Sequence, residues 1–122
     1  MSRELVVVVE DEADILTCIR YQLCSAGYRV ASARTAAEGL ETVRSESPHL
    51  VLLDRLLPDR DGIEILRELR TAQATKELPI VMLSAKTDDK TTWDGWRAGA
   101  NYYMAKPFEP EELVRVLRTA IG

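Results

Sequence analysis

Leu50-Val51-Leu52-Leu53-Asp54, the stretch LVLLD, decides how the rest of the chain is read. Four consecutive apolar residues are what a central parallel strand covered on both faces requires, and this one runs straight into a carboxylate. Before it, Pro48 stops a helix; after it, Pro58-Asp59-Arg60-Asp61-Gly62 has strong turn chemistry. The strand therefore sits between two helices, with Asp54 at its carboxyl end.

The same alternation extends in both directions. Leu5 to Val9 reads as a first strand. Residues 13–26 follow with Ile15, Leu16, Ile19 and Leu23 on one helical face, and Gly27 supplies the left-handed stop. Tyr28 to Ala33 alternates as a second strand. Thr35 with Glu38 three residues later is a capping box, opening a helix whose predicted buried stripe is Ala36, Ala37, Leu40 and Val43. Beyond the central strand, Ile63, Leu66 and Leu69 mark a helix and Pro79 to Leu83 a fourth strand. A helix over 88–98 closed by Gly99, a strand from Asn101 to Met104 and a helix over 110–121 complete five βα units. The expected class is α/β, a single (βα)5 domain over residues 1–122 with a five-stranded parallel sheet wound on both sides.

Composition limits what such a domain does. The 122 residues carry 16 Lys and Arg against 20 Asp and Glu, a formal charge of -4, so no basic field is offered to a nucleic-acid backbone. No apolar run approaches the roughly 20 residues of a membrane helix, and no signal peptide opens the chain, which predicts a cytoplasmic protein. Cys18 and Cys24 stand six residues apart in one helix, about 9 Å along its axis, too far for a disulfide. With one histidine, His49, and no CxxC, a structural zinc site is not supported. Trp93 and Trp96, three apart in the 88–98 segment, read as packing residues.

In an open parallel sheet ligands bind beyond the carboxyl ends of the strands. That rule gathers Glu10 and Asp11, Asp54, Ser84 and Lys106 at one rim. Carboxylates crowded there repel one another unless a cation lies among them, and an open rim of oxygen donors suits magnesium. Glycines that would cradle a nucleotide phosphate are missing after the first strand, where Glu10, Asp11 and Glu12 would repel it. An aspartate is a competent nucleophile towards phosphorus, and the three equatorial oxygens of the transferred group need separate partners. The metal, the Lys106 ammonium and the Ser84 hydroxyl supply three.

At these residues the chain resembles the response-regulator receiver family, the CheY-like group of the flavodoxin-like fold. The matching stretches are Val8-Val9-Glu10-Asp11-Glu12, Leu52-Leu53-Asp54 through Leu57-Pro58-Asp59 to Asp61-Gly62, Met82-Leu83-Ser84-Ala85, and Gly99-Ala100 with Tyr103 to Lys106-Pro107-Phe108. The resemblance implies the strand order 2-1-3-4-5 and a cis Lys106-Pro107 bond. It makes Asp54 the phosphoryl acceptor from a histidine kinase or histidine phosphotransfer protein. Asp11, Asp54 and the Leu56 carbonyl would be ligands of Mg2+, with Glu10 acting through water. Lys106 would be the family's phosphoryl-binding lysine, Ser84 its switch hydroxyl and Tyr103 its switch aromatic. Such a domain is a phosphoacceptor switch rather than an enzyme acting on other molecules, and it controls an attached output domain or a partner protein.

Some positions depart from the commonest pattern. Arg55 follows the acceptor where an apolar residue is frequent, Asn101-Tyr102 stands where two acidic residues are frequent in regulators fused to winged-helix DNA-binding domains, and Lys86 lies two beyond the hydroxyl. Bland readings compete for single residues: acids at a strand end often form a solvated rim, Ser84 alone could be a turn residue and Tyr103 a strand aromatic. Glu12, Asp59 and Asp61 read as solvated or capping. Two rival classes share parts of the pattern. A flavodoxin-like cofactor carrier needs a hydroxyl- or glycine-rich loop after the first strand, and an aspartyl phosphatase a second aspartate two residues after the nucleophile, where Leu56 stands.

Overall fold

The computed structural model describes residues 3–85 and 99–121. Five strands, β1 (Leu5–Val9), β2 (Arg29–Ala33), β3 (Leu50–Asp54), β4 (Ile80–Ala85) and β5 (Tyr102–Lys106), form one parallel sheet in the order β2-β1-β3-β4-β5. Four helices are described: α1 (Ala13–Ser25), α2 (Ala36–Glu46), α3 (Gly62–Thr71) and α4 (Pro110–Ile121). The expected helix over 88–98, with Trp93, Trp96 and Lys86, lies outside the described residues. None of the described helices is long and apolar enough to cross a membrane.

All five residues of β1 and of β3 are buried, because apolar side chains leave both faces of these central strands. Val7, Val9, Val51 and Leu53 pack on one face with Ala36, Leu40 and Val43 of α2 and Ile63, Leu66 and Leu69 of α3. Val6, Val8, Leu50 and Leu52 pack on the other with Leu16, Ile19 and Leu23 of α1 and Leu113 and Leu117 of α4. Helices on both sides put every strand's carboxyl end at one rim.

The structure corrects local expectations. In α2 the buried stripe is Ala36, Gly39, Leu40 and Val43, while Ala37 is exposed. Gly39 faces β1 so closely that a Cβ there would lie 2.8 Å from a Val9 methyl, so the smallest residue takes the place expected of Ala37. The capping box is shifted: Thr35 Oγ1 accepts from the Glu38 N–H, but Glu38 Oε1 takes the Arg34 N–H, one residue earlier than the usual reciprocal bond. Strands β4 and β5 run two residues further than expected, because ladder pairing continues through Ser84↔Ala105 and Ala85↔Lys106. Gly27 adopts φ +98 after α1, as the helix stop requires. Cys18 and Cys24 are free and exposed. His49 is structural, its Nδ1 accepting the Leu5 N–H at the start of β1.

Candidate functional site

Asp54 ends β3 and is 5% exposed, so its carboxylate stands at the floor of the rim rather than in bulk water. The chain then turns back sharply: the Gly62 N–H donates to the Arg55 carbonyl at 2.7 Å and Leu56 bridges to Asp61. A Cβ on Gly62 would sit 2.3 Å from the Asp54 carbonyl oxygen, so only glycine fits this return. The turn residues seen in the sequence thus serve to fold the loop back against Asp54.

Lys106, at the end of β5, reaches two carboxylates. Its Nζ lies 2.8 Å from Glu10 Oε1 and 3.2 Å from Asp54 Oδ2. Glu10 is fully buried, and its second oxygen accepts the Glu12 N–H at 3.0 Å. Asp54 Oδ1 accepts the Leu56 N–H at 3.4 Å. Burial, then the Glu10 charge, push the Asp54 carboxyl up from 3.8 to about 6, against the opposing pull of Lys106. Burial acts to lower the Lys106 ammonium, but its bonds to Glu10 and the charge of Asp54 outweigh this and hold it above the ordinary lysine value. Two carboxylates share the Lys106 ammonium, and among the described residues the rim is short of positive charge.

A cleft of about 650 Å³ opens over these groups, lined by Asp11, Asp54, Leu56, Ser84 and Lys106 together with Ile15 and Phe108. The structure brings Asp54, Lys106, Ser84, Asp11 and Leu56 to one opening. Glu10 lies beneath it, engaged by Lys106 and the Glu12 N–H. Tyr103 stands apart, packed against the α2–α3 side of the core with its hydroxyl buried. No group of three His, Cys, Asp or Glu side chains is arranged to hold a metal among the described residues. The oxygen-bearing side chains lining the cleft are the carboxylates of Asp11, Glu12 and Asp54 and the Ser84 hydroxyl, and the raised Asp54 carboxyl is a group that a cation would return to its charged form. That donor set fits a hard divalent ion that keeps several waters. The Lys106-Pro107 bond is cis.

Three contacts were not legible beforehand. Arg34 donates from Nε and Nη2 to the Asp11 carbonyl at 3.2 and 2.9 Å, tying the β2–α2 turn to the rim. Asp59 accepts from the Ala36 and Ala37 N–H groups at 2.8 and 3.0 Å and so caps α2 from another loop. Arg55 forms a bidentate pair with Asp61, Nε to Oδ1 at 2.9 Å and Nη2 to Oδ2 at 3.1 Å, while Asp61 also caps α3 through the Ile63 N–H. Arg55 carried a signal as a charge where an apolar residue is frequent, and the capping roles of Asp59 and Asp61 agree with their reading as solvated or capping acids, but none of the partners was marked.

Comparison with known proteins agrees with this geometry. Residues 6–118 match the family model of the response regulator receiver domain. The chain is 36% identical over 121 residues to the phosphate regulon transcriptional regulatory protein PhoB of Pseudomonas aeruginosa, covering 99% of this chain and 53% of that protein. It is 41% identical over 108 residues to the alkaline phosphatase synthesis transcriptional regulatory protein PhoP of Bacillus subtilis, covering 88% and 44%. Among solved structures, the chemotaxis response regulator CheY4 of Vibrio cholerae superposes with a TM-score of 0.92 at 28% identity, covering 98% of this chain and 99% of that one. The chain spans about half the length of the curated relatives it matches. Its sheet order, its strand-end carboxylates and lysine, and these matches together make it a member of the response-regulator receiver family of two-component systems.

Proposed function

We propose that Asp54 accepts a phosphoryl group from a phosphohistidine of a kinase or phosphotransfer protein, and that the chain passes the signal to an output domain or a partner protein. The observation that carries this reading is the buried Asp54 carboxylate, 3.2 Å from Lys106 at the open end of the sheet. A carboxylate oxygen attacks phosphorus, the P–N bond to the imidazole breaks with its electron pair going to nitrogen, and an acyl phosphate forms.

The chain's own groups have distinct tasks. The Gly62 return brings the loop close past the Asp54 carbonyl, while the Asp54 side chain lines the cleft. Lys106 is already beside the reacting oxygen and can transfer its hydrogen bonds to the incoming phosphoryl oxygens, whose added negative charge it balances. Ser84, at the same opening, offers a hydroxyl to another phosphoryl oxygen. Asp11, Asp54 and the Leu56 carbonyl would hold Mg2+, which supplies charge neutralisation at the phosphoryl oxygens when bound. Glu10, buried and tied to Lys106, would act on the ion only through water.

The test is treatment with acetyl phosphate and magnesium. The protein should gain one phosphoryl group that hydroxylamine removes, and Asp54→Ala should gain none. Labelling of Asp54→Ala equal to wild type, or phosphate located on Ser84 or His49 by mass spectrometry, would overturn the assignment. The Asp11→Ala variant should lose most magnesium binding, read by titration calorimetry.

A further inference from the structure

We propose that Arg34 is a positioning residue for the cation site, clamping the Asp11–Glu12 peptide so that the Asp11 carboxylate is held towards the cleft. The inference rests on reading Asp11 as a ligand of Mg2+ and goes beyond it by naming what sets the direction of that ligand.

Strand β2 lies beside β1, and their pairing continues one residue past β1, where the Glu10 N–H donates to the Ala33 carbonyl at 3.0 Å. Arg34 follows Ala33 and so stands next to Asp11. Its Nε and Nη2 both donate to the Asp11 carbonyl, at 3.2 and 2.9 Å. The N–H of the same peptide group, that of Glu12, donates to Glu10 Oε2 at 3.0 Å. A trans peptide is planar, with its C=O and N–H pointing in opposite directions. Both ends of this plane are therefore engaged, one by a guanidinium and the other by a carboxylate. Turning the plane would break charge-assisted hydrogen bonds on both sides. Glu10 is itself held by Lys106, 2.8 Å from its other oxygen. The Cα of Asp11 lies in the clamped plane, and its side chain lines the cleft.

Arg34 is anchored in turn. Its own N–H donates to Glu38 Oε1 at 2.7 Å, while the Glu38 N–H donates to Thr35 Oγ1 at 3.1 Å. The capping box displaced by one residue thus fixes the backbone that carries the guanidinium. Asp59, three residues beyond Leu56, accepts from the Ala36 and Ala37 N–H groups. The first turn of α2 therefore ties the loop carrying Asp11 to the loop carrying the Leu56 carbonyl. A ligand whose direction is already set binds a cation more tightly, because less ordering is left for binding to accomplish. Charge alone acts the other way: a guanidinium near the rim repels a divalent cation, and its removal without any positioning effect would tighten binding.

The experiment titrates the whole chain with magnesium chloride in a calorimeter and follows amide exchange by NMR in the metal-free protein. Arg34 is exposed, so Arg34→Met leaves no buried cavity, and a Gly62 amide exchanging at the wild-type rate verifies that the fold is intact. In this variant magnesium affinity should fall about fivefold, less than the roughly 10–100-fold typical of outer partners of metal ligands, because water partly replaces an exposed bond. The Glu12 amide should exchange faster than in wild type. Arg34→Lys, which keeps the charge and one donor without the planar fork, should fall between the two in both measurements. Magnesium affinity equal to or tighter than wild type in Arg34→Met, or a Glu12 amide exchanging at the wild-type rate, would overturn the proposal. Wild-type magnesium binding in Asp11→Ala would instead remove the metal reading, and the Glu12 amide alone would then decide whether Arg34 fixes this peptide.

Discussion

Lys106 at the carboxyl ends of the strands and Arg70 at their amino ends are both part-buried cations, yet they are held in opposite ways. Lys106 meets two carboxylates, Glu10 and Asp54, which together hold it above its ordinary pKa. Arg70 meets oxygens without charge: the carbonyls of Gly99, Thr75, Lys76 and Leu78 and the side-chain oxygen of Asn101. Burial there lowers its pKa. The amino-terminal end is polar but matched, each donor answered by an acceptor shaped to it. Among the described residues, the carboxyl-terminal end carries more negative charge than the Lys106 ammonium balances. A matched cluster fixes structure, whereas an unmatched one invites a cation or a phosphoryl group.

Removing Arg70 should break the matched end and have the largest effect on stability. Arg70→Met keeps much of the apolar stem but leaves the part-buried carbonyls of Gly99 and Leu78 without this donor, while the Asn101 oxygen keeps the Ile80 N–H. A loss of about 3 kcal/mol is expected from urea unfolding, given about 1–3 kcal/mol for each buried acceptor left unsatisfied and partial recovery through water. Acceptance of a phosphoryl group by the folded fraction should be unchanged. Equal stability in Arg70→Met would erase the distinction between the two ends.

At the other end the expected sign reverses. The raised Asp54 pKa means that the folded protein favours the neutral carboxyl, while the unfolded chain ionises from about 3.8 upward. The cost of keeping Asp54 charged therefore starts above that value and is complete above about 6. Asp54→Asn should raise stability at pH 8 in the presence of a chelator by about 2 to 3 kcal/mol, at about 1.4 kcal/mol per pKa unit. The gain should disappear below pH 4 and shrink when magnesium is added to wild type. Unfolding curves of the two proteins at pH 8 and pH 4 check this.

The difference between the ends also explains what was legible in the sequence. Asp54, Ser84 and Lys106 could be placed because each closes an apolar run, and strand ends are where such a sheet builds a site. The cluster around Arg70 could not be placed. Its acceptors are mostly backbone carbonyls, which every residue possesses and no sequence pattern marks. Arg55 stood out as a charge in an apolar position, but Asp61 six residues on reads as a solvated or capping acid, with nothing to mark Arg55 as its partner until the loop is folded. In α2 the helical period located the buried face but did not choose between Ala37 and Gly39, a choice made by the nearness of Val9.

Asp59 gives the finest test of the contrast, because it is an acidic residue of the loop that follows Asp54 and has the opposite pKa direction. The Ala36 and Ala37 N–H groups, two free donors at the start of α2, hold its carboxyl below the ordinary aspartate value. It is exposed, so solvent screens the interaction and the effect on stability should be the smallest of the three. The sign follows from linkage: a lowered folded-state pKa gives stability that is present above the ordinary value and lost as pH falls through the folded one. Asp59→Asn should therefore unfold at slightly lower urea concentration than wild type at pH 7, with the gap closing below about pH 4, where the wild-type carboxyl also loses its charge. Asp54→Asn and Asp59→Asn would then shift the neutral-pH midpoint in opposite directions and converge on wild type in acid. A shared direction for the two variants would mean that matching by donors, as distinct from burial, does not separate Asp59 from Asp54.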